Sequence, residues 1–166
     1  VWFCDLSEVR DVHSLSRSVA SALDVPLRDG DPLNQLGNVL QGLGPVLLLL
    51  DNFEQAVEAG SEVLGAWLRR APEAVFLVTS RIRLAVEGET VFLVPPLPIE
   101  AALQLFEDRA RLVRSDFALT PATRPIATEI VERLDGMSLA IELAAARVRS
   151  LSLDRILQHL DRRFEL

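Results

Sequence analysis

The chain has 166 residues, 49% hydrophobic and 25% charged, a composition typical of a folded globular protein with one core and room for a small second domain. Its formal net charge of -7 argues against a basic face that binds a phosphodiester backbone, so any contact with DNA is expected to need a separate domain. A single cysteine cannot form an internal disulfide, and no apolar run reaches the ~18 residues of a membrane span, so we expect a cytoplasmic protein with no membrane partner.

The first third of the chain reads as a strand followed by two helices. Residues 1–6 are apolar and β-prone with no capping or loop residue before them, which predicts a strand and a natural chain cut upstream. Residues 11–23 place their apolar side chains at helical spacing. Asp31 then caps a second predicted helix, which has Pro32 at its first position and ends near residue 43.

An uninterrupted apolar run at residues 46–50 leads into the acidic cluster of Asp51, Asn52 and Glu54. Such a run predicts a parallel strand covered by helices on both faces. Ligands of open α/β sheets bind beyond the carboxyl ends of the strands, where a carboxylate can hold Mg²⁺, as in a Walker B strand. The alternative is that Asp51 only caps the next helix.

A second run of polar residues follows another predicted strand. After a helix that ends near residue 70, residues 74–79 form an apolar strand that continues into Ser80 and Arg81. A further short strand is predicted at residues 90–94, and the prolines that follow it form a stiff junction. We therefore predict a partial α/β core over residues 1–94 and a small helical domain over residues 95–166.

The second predicted domain is helical throughout. One helix is expected from about residue 99 to 113, and Thr120 is expected to cap the next. Residues 138–149 are rich in alanine and leucine on most sides, which predicts the central helix of a small bundle. A last helix is predicted from about residue 152 to 163.

Three segments in this order, residues 47–55, 78–81 and 136–147, resemble successive motifs of the NB-ARC-like module of STAND signal-transduction ATPases. The version that the chain resembles occurs in large bacterial transcriptional regulators, between a DNA-binding domain and a sensor. The resemblance implies a parallel P-loop NTPase-type sheet flanked by helices, then an all-α lid. It also implies ATP or ADP with Mg²⁺ as the cofactors.

The resemblance also implies roles for particular residues. Asp51 matches the Walker B carboxylate that holds Mg²⁺, and Asn52 stands where many relatives carry a second acid that polarises water, so slow hydrolysis is implied. Arg81 matches an arginine that senses the γ phosphate, with Thr79 and Ser80 beside it. The alternative for Arg81 is a surface ion pair with Glu87 or Glu89.

In the second domain, Gly136, Ser138 and Leu139 match the turn by which the family's lid closes on adenine. Ser138 stands where the family usually has proline, which weakens this implied contact.

The chain contains no Gly-x-x-x-x-Gly-Lys-Ser/Thr loop, which supplies backbone N–H groups and a lysine to the phosphates. The chain alone is therefore expected to bind ATP poorly. The family resemblance places the missing central strand between the strand ending at Asp51 and the strand ending at Thr79. Two unpaired strand edges would result. These edges are expected to pair either with each other across the gap or with another chain, so self-association is predicted.

Two functions from different classes follow. In the first, the chain belongs to an ATP-dependent switch that regulates transcription through conformational change and oligomerisation, together with other domains of the same regulator. In the second, it is a non-catalytic regulatory interaction module in which Asp51 and Arg81 have no nucleotide chemistry.

Overall fold

The computed structural model of the protein describes residues 1–161, which form two compact units, Val1–Phe92 and residues 93–161. The first unit is an α/β fold and the second is helical. The elements of the first unit are β1 (Trp2–Asp5), α1 (Val12–Ala22), α2 (Pro32–Leu43), β2 (Val46–Asp51), a short 3-10 turn (Phe53–Gln55), α3 (Val57–Arg70) and β3 (Ala74–Val78).

The three strands form one parallel sheet in the order β1-β2-β3. In β1 the residues from Trp2 to Asp5 pair with those from Leu48 to Asp51 of β2. On its other side, β2 pairs directly with β3, with Leu50 opposite Val78. β2 and β3 therefore pair with each other across the position where the family resemblance placed a missing strand, which is the first of the two outcomes predicted for these edges. β2 is hydrogen-bonded on both edges and is therefore the central strand among the described residues.

One face of this sheet is buried and the other is open, so the prediction of helices on both faces is wrong for the described part of this unit. Cys4, Leu48 and Leu50 lie in the core with all three helices. On the opposite face Val75 is 58% exposed and Leu77 is 53% exposed. The connections from β1 to β2 and from β2 to β3 run in the same direction across the sheet. Because parallel crossovers are right-handed, their helices lie on the same face.

The helices of the first unit begin where the sequence predicts. Asp11 and Ser14 form a reciprocal capping box at the start of α1. Asp31 accepts hydrogen bonds from the backbone N–H groups of Leu33 and Asn34 at the start of α2. Both caps satisfy donors that the first helical turn leaves free.

The second unit contains α4 (Ile99–Val113), α5 (Arg124–Arg133), α6 (Ser138–Ala146) and α7 (Leu153–Asp161). Its core includes the fully buried Phe106, Ile130 and Ile141. Of the helices described in residues 1–161, none is long and apolar enough to cross a membrane.

Two helix boundaries in this unit differ from the predictions, and a third is not tested. Thr120 does not cap α5, because Thr120 and Thr123 bond to each other in a turn that precedes the helix. The predicted helix over residues 138–149 gives way to a 3-10 turn at Arg147–Arg149. The predicted end of the last helix, at residues 162–163, lies outside the described residues.

The short strand predicted at residues 90–94 is not present. This segment has no regular secondary structure, and Phe92 and Val94 are each 83% exposed. A β-prone sequence forms a strand only when a neighbouring strand supplies hydrogen bonds. The described residues supply no such partner here.

Candidate functional site

The carboxyl ends of the three strands bring polar side chains to one edge of the sheet. Asp5 and Asp51 are opposite each other in the register. The ladder continues past the strands, since Thr79 N donates to Leu50 O at 3.0 Å and Phe53 N donates to Thr79 O at 3.0 Å. Because side chains alternate along a strand, this register places Asp5, Asp51 and Thr79 on the same, open face of the sheet.

Asp51 and Thr79 are joined directly. The Thr79 hydroxyl donates to Asp51 Oδ1, and the backbone N–H of Asn52 donates to Thr79 Oγ1 at 3.1 Å. The hydroxyl thus acts as both donor and acceptor, which fixes its rotation. Among the described residues no hydrogen bond to Asp51 Oδ2 is present, so this oxygen can still act as a ligand. The two strand-end positions singled out in the sequence therefore meet. Asp51 does not cap the next helix, because the N-cap of α3 is Ala56 and no side chain caps it.

Asn52 has a left-handed backbone, with φ 61° and ψ 39°. Asparagine is one of the few non-glycine residues that adopt this conformation readily. Its side-chain Nδ2 donates to Asp5 Oδ1 at 3.2 Å, which ties the turn after β2 to the end of β1. The role of Asn52 in catalysis stays a prediction.

Asp5 is a site residue that the sequence reasoning missed. Its Oδ1 also accepts a hydrogen bond from Ser7 N at 2.9 Å. That backbone hydrogen bond, and then the one from Asn52, lower the pKa of Asp5. The sequence does contain a signal, because Asp5 is a carboxylate at the end of a predicted strand. The sequence does not show that this strand lies beside β2, so Asp5 is predicted only as part of a strand.

Asp5→Asn tests this network by its pH dependence. A lowered folded-state pKa means that the Asp5 charge stabilises the fold above the unfolded-state pKa of ~3.9, and that this contribution is lost as pH falls through the folded-state pKa. The stability difference between wild type and Asp5→Asn is therefore expected to be present at neutral pH and to shrink below about pH 4. Denaturant unfolding over a pH series measures it.

The control for this pH series is Asp29→Asn, which changes an exposed carboxylate in a bend. A difference for Asp5→Asn that stays constant with pH, or that matches the control, would contradict the assignment.

Arg81 forms an ion pair with Glu54, and the alternative partners predicted from the sequence, Glu87 and Glu89, do not fill this role. Arg81 Nε lies 2.9 Å from Glu54 Oε1. Glu89 instead accepts hydrogen bonds from the backbone N–H groups of Leu84 and Ala85. The sequence showed both Glu54 and Arg81 but gave no sign of their contact, because it joins loops that follow two different strands.

The pKa of Glu54 is lowered, first by its own backbone N–H and then by the Arg81 guanidinium, against the opposing effect of burial. Glu54 is therefore an anion at neutral pH. Its side chain is 14% exposed, whereas that of Arg81 is 79% exposed. The pair thus joins a largely buried carboxylate to a guanidinium that remains accessible to a ligand.

Ser80 bonds to its own loop. Its hydroxyl donates to Ile82 O at 2.7 Å, and its oxygen lies 3.2 Å from Ile82 N, which donates to it. This local turn orders the loop that carries Arg81. A cofactor contact by Ser80 stays a prediction.

A cavity of about 580 Å³ opens beside these groups. Its size falls in the range of small-molecule sites. A larger cavity of about 740 Å³ is bordered by β1 and α1, away from Thr79 and Arg81. We assign the candidate site to the smaller cavity because its lining combines polar groups that follow all three strands: Ser7, Asn52, Glu54, Gln55, Thr79, Ser80 and Arg81.

Cys4, on the wall of the larger cavity, is not a reactive thiol. Burial, and secondarily the charge of Asp5, raise its pKa to about 11. The thiolate is the reactive form of cysteine, and this pKa leaves very little of it at neutral pH.

The donor set around Asp51 suits Mg²⁺ better than a transition metal. It offers one carboxylate and the neighbouring hydroxyl of Thr79, which are hard oxygen ligands. Among the described residues there is no group of three histidine, cysteine or acidic side chains that could hold a metal alone. Mg²⁺ in nucleotide sites is commonly held by one or two carboxylates together with phosphate oxygens, so the residues fit a metal that arrives with a polyphosphate.

In the helical unit, Gly136 lies in the turn before α6 with φ +64°. It accepts a hydrogen bond from Leu97 N at 3.0 Å through its carbonyl oxygen. Ser138 begins α6, and Leu139 is 67% exposed on it. Contact of Gly136, Ser138 and Leu139 with adenine stays a prediction.

Gly136→Ala is expected to lower the free energy of unfolding by about 1–3 kcal/mol. A Cβ at this position would lie 2.6 Å from Leu97 O, on a backbone conformation that alanine rarely adopts. Gly42→Ala is the control, because a Cβ there meets nothing within 4 Å and the residue is helical, so ~0.5–1 kcal/mol of stabilisation is expected. Equal effects of the two changes in denaturant unfolding would contradict the description of this turn.

No family model matches the chain. It is 42% identical over 167 residues to the proteins named "Uncharacterized protein Rv0894" of Mycobacterium tuberculosis and "Uncharacterized protein Mb0918" of Mycobacterium bovis. The match takes in 99% of this chain and 42% of each relative, so the chain spans less than half of the length of these proteins.

A second group of relatives carries a functional name. The chain is 34% identical over 165 residues to the protein of Mycobacterium tuberculosis named "Putative HTH-type transcriptional regulator Rv0890c". That match takes in 99% of this chain and 19% of the relative. The chain is therefore linked to transcriptional regulators only by its similarity to one segment of such a protein.

Proposed function

We propose that the chain is part of a nucleotide-dependent switch in a transcription regulator, of the NB-ARC-like STAND type. In this proposal the cavity at the sheet edge takes the phosphates of ATP or ADP with Mg²⁺. The second unit acts as a lid whose closure depends on the nucleotide. Closure changes the self-association of the regulator and its contacts with its other domains, and DNA is bound by a separate domain.

The observation that carries the proposal is the direct bond between Asp51 and Thr79 at the ends of neighbouring parallel strands, with Arg81 on the wall of the same cavity as Thr79. A carboxylate can hold the metal of a nucleotide, and an accessible guanidinium can bind phosphate oxygens. When bound, Mg²⁺ would neutralise phosphate charge. The protein's own groups orient the carboxylate through Thr79 and hold the turn at Asn52.

Similarity to a relative named as an HTH-type regulator supports the regulatory part of the proposal. The competing function is a regulatory interaction module without nucleotide chemistry. The open apolar face of the sheet, which includes Val75 and Leu77, favours this second candidate as a contact surface. The two functions differ in one observable property, the binding of nucleotide.

The test is a thermal-shift titration of the full-length gene product with Mg-ATP, beside the 166-residue chain alone. We expect Mg-ATP to stabilise the full-length protein by up to ~2.7 kcal/mol at a concentration one hundred times Kd. The chain alone should respond weakly, because its sequence holds no phosphate-binding Gly-Lys-Ser/Thr loop.

Asp51→Ala in the full-length protein should abolish the response, and Asp29→Ala, which removes an exposed carboxylate from a bend, should retain it. A full-length wild type that shows no nucleotide-dependent shift would leave the interaction module as the better function.

A further inference from the structure

The ion pair between Glu54 and Arg81 lies on the wall of the candidate phosphate cavity. Glu54 belongs to the 3-10 turn after β2, and Arg81 to the loop after β3. Only Arg81 Nε is engaged, at 2.9 Å from Glu54 Oε1. Within residues 1–161, no side chain or carbonyl accepts a hydrogen bond from either Nη nitrogen of Arg81. The guanidinium is therefore held on one edge and open on the other.

Charge in this cavity is balanced by that pair. Of the lining side chains, Glu54 and Arg81 are the charged ones, so the lining is neutral as a whole. Removing the Glu54 charge would leave a lining of charge +1. By Coulomb's law an anion is then attracted more strongly to the cavity. The increase is largest for the anionic group that contacts Arg81.

We infer that Glu54 is a built-in counter-ion that competes with the terminal phosphate for Arg81, and so sets how strongly the site prefers a nucleoside triphosphate over a diphosphate. The inference rests on the proposed function, because it needs a nucleotide in this cavity. It adds a residue and a property that the proposed switch does not itself require. The residue is Glu54, and the property is a preference for ATP over ADP that its carboxylate lowers.

Burial makes Glu54 a fixed competitor. With 14% of its side chain exposed, the carboxylate has little freedom to move away, whereas Arg81 at 79% exposure can swing on its long side chain. The lowered pKa of Glu54 also means that it does not release Arg81 by taking up a proton near neutral pH. A phosphate must therefore displace the carboxylate or share the guanidinium with it.

The expected size of the effect is modest. Pairs between exposed charged side chains are weak, and this one is partly exposed, so its removal corresponds to about a two- to fivefold change in affinity. A change of this size should appear in the Kd for ATP. The Kd for ADP should change less, because ADP lacks the terminal phosphate that competes for Arg81.

The experiment measures Kd for Mg-ATP and Mg-ADP by isothermal titration calorimetry on the full-length gene product. Glu54→Gln, which preserves the shape of the side chain, should lower the Kd for ATP about two- to fivefold and raise the ATP-over-ADP preference. Glu58→Gln is the matched control, since Glu58 is an exposed acidic residue in the first turn of α3. The control should leave both constants and their ratio unchanged.

A second variant separates competition from a change in folding. Arg81→Gln should weaken ATP binding, and adding Glu54→Gln to it should give no further gain, because the competitor then has nothing to compete for. If wild type binds ATP but Glu54→Gln leaves the ATP-over-ADP ratio unchanged or lowers it, the inference is overturned while the proposed function stands. If no full-length variant binds either nucleotide, both the proposed function and the inference are wrong.

Discussion

Trp67→Ala is expected to lower the free energy of unfolding by about 3–5 kcal/mol. Trp67 is 1% exposed and stacks on Phe76 with ring centroids 6.5 Å apart. Its Nε1 donates to Leu33 O at 3.0 Å, so one side chain joins α3 to α2 and to the sheet. Removing it leaves a large cavity and takes one hydrogen bond from the partly buried carbonyl of Leu33. Denaturant unfolding monitored by circular dichroism measures the loss.

Two further variants separate the contributions. Trp67→Phe retains a ring but cannot donate to Leu33 O, so a smaller loss of about 1–3 kcal/mol is expected from the lost hydrogen bond and the lost volume. Trp2→Ala is the matched control, because Trp2 is 37% exposed at the edge strand β1 and should cost less than Trp67→Ala. Comparable losses for the two tryptophans would contradict the core described for the first unit.

Asp51→Asn is expected to remove the Mg²⁺ dependence of nucleotide binding by the full-length gene product. The amide oxygen can still accept the Thr79 hydrogen bond, so the strand end should stay ordered while the metal-binding charge is lost. We expect ATP affinity in the presence of Mg²⁺ to fall at least about tenfold, since loss of a metal-ligand charge costs more than an ordinary surface contact. Calorimetric titration with ATP, once with Mg²⁺ and once with a chelator, measures the affinity in the presence and in the absence of the metal.

Asp5→Asn is the matched control for this charge change. Asp5 lies opposite Asp51 in the register but is bonded to Ser7 and Asn52 rather than to Thr79. Its variant should retain most of the Mg²⁺ dependence. If Asp51→Asn behaves like Asp5→Asn, Asp51 has no special role in metal binding.

Much of the local structure could be predicted from the sequence. The three strands, the helix α1 and the Asp31 cap at the start of α2 are confirmed, because they follow from periodicity and from a side chain that bonds within one turn. The boundaries that are wrong have local causes too. Thr120 bonds to Thr123 instead of starting a helix, and the segment at residues 90–94 has no strand beside it.

The order of the strands could not be predicted in this way. Nothing in the apolar run of residues 46–50 says which strands lie beside it, and the sequence left open whether its free edge pairs within the chain or with another chain. That order also decides which face the helices cover, so the exposure of Val75 and Leu77 could not be predicted either.

The site was predictable in part. Asp51 and Thr79 were singled out because polar residues follow apolar strands, and the parallel pairing of β2 with β3 brings them together. The contacts of Asp5 with Asn52 and of Glu54 with Arg81 span 47 and 27 positions in the chain. Such pairs depend on the loops that follow the strands, and their geometry has no periodic signal in the sequence.

The central claim is that the edge formed by Asp51, Thr79 and Arg81 receives a metal-bound polyphosphate. Mn²⁺, a paramagnetic substitute for Mg²⁺, tests it most directly when added with ATP to the ¹⁵N-labelled full-length gene product. We predict that the backbone amide signals of Asn52, Thr79 and Ser80 broaden first. Broadening centred elsewhere, such as on the wall of the larger cavity at residues 17–22, or no ATP-dependent broadening at all, would contradict the claim.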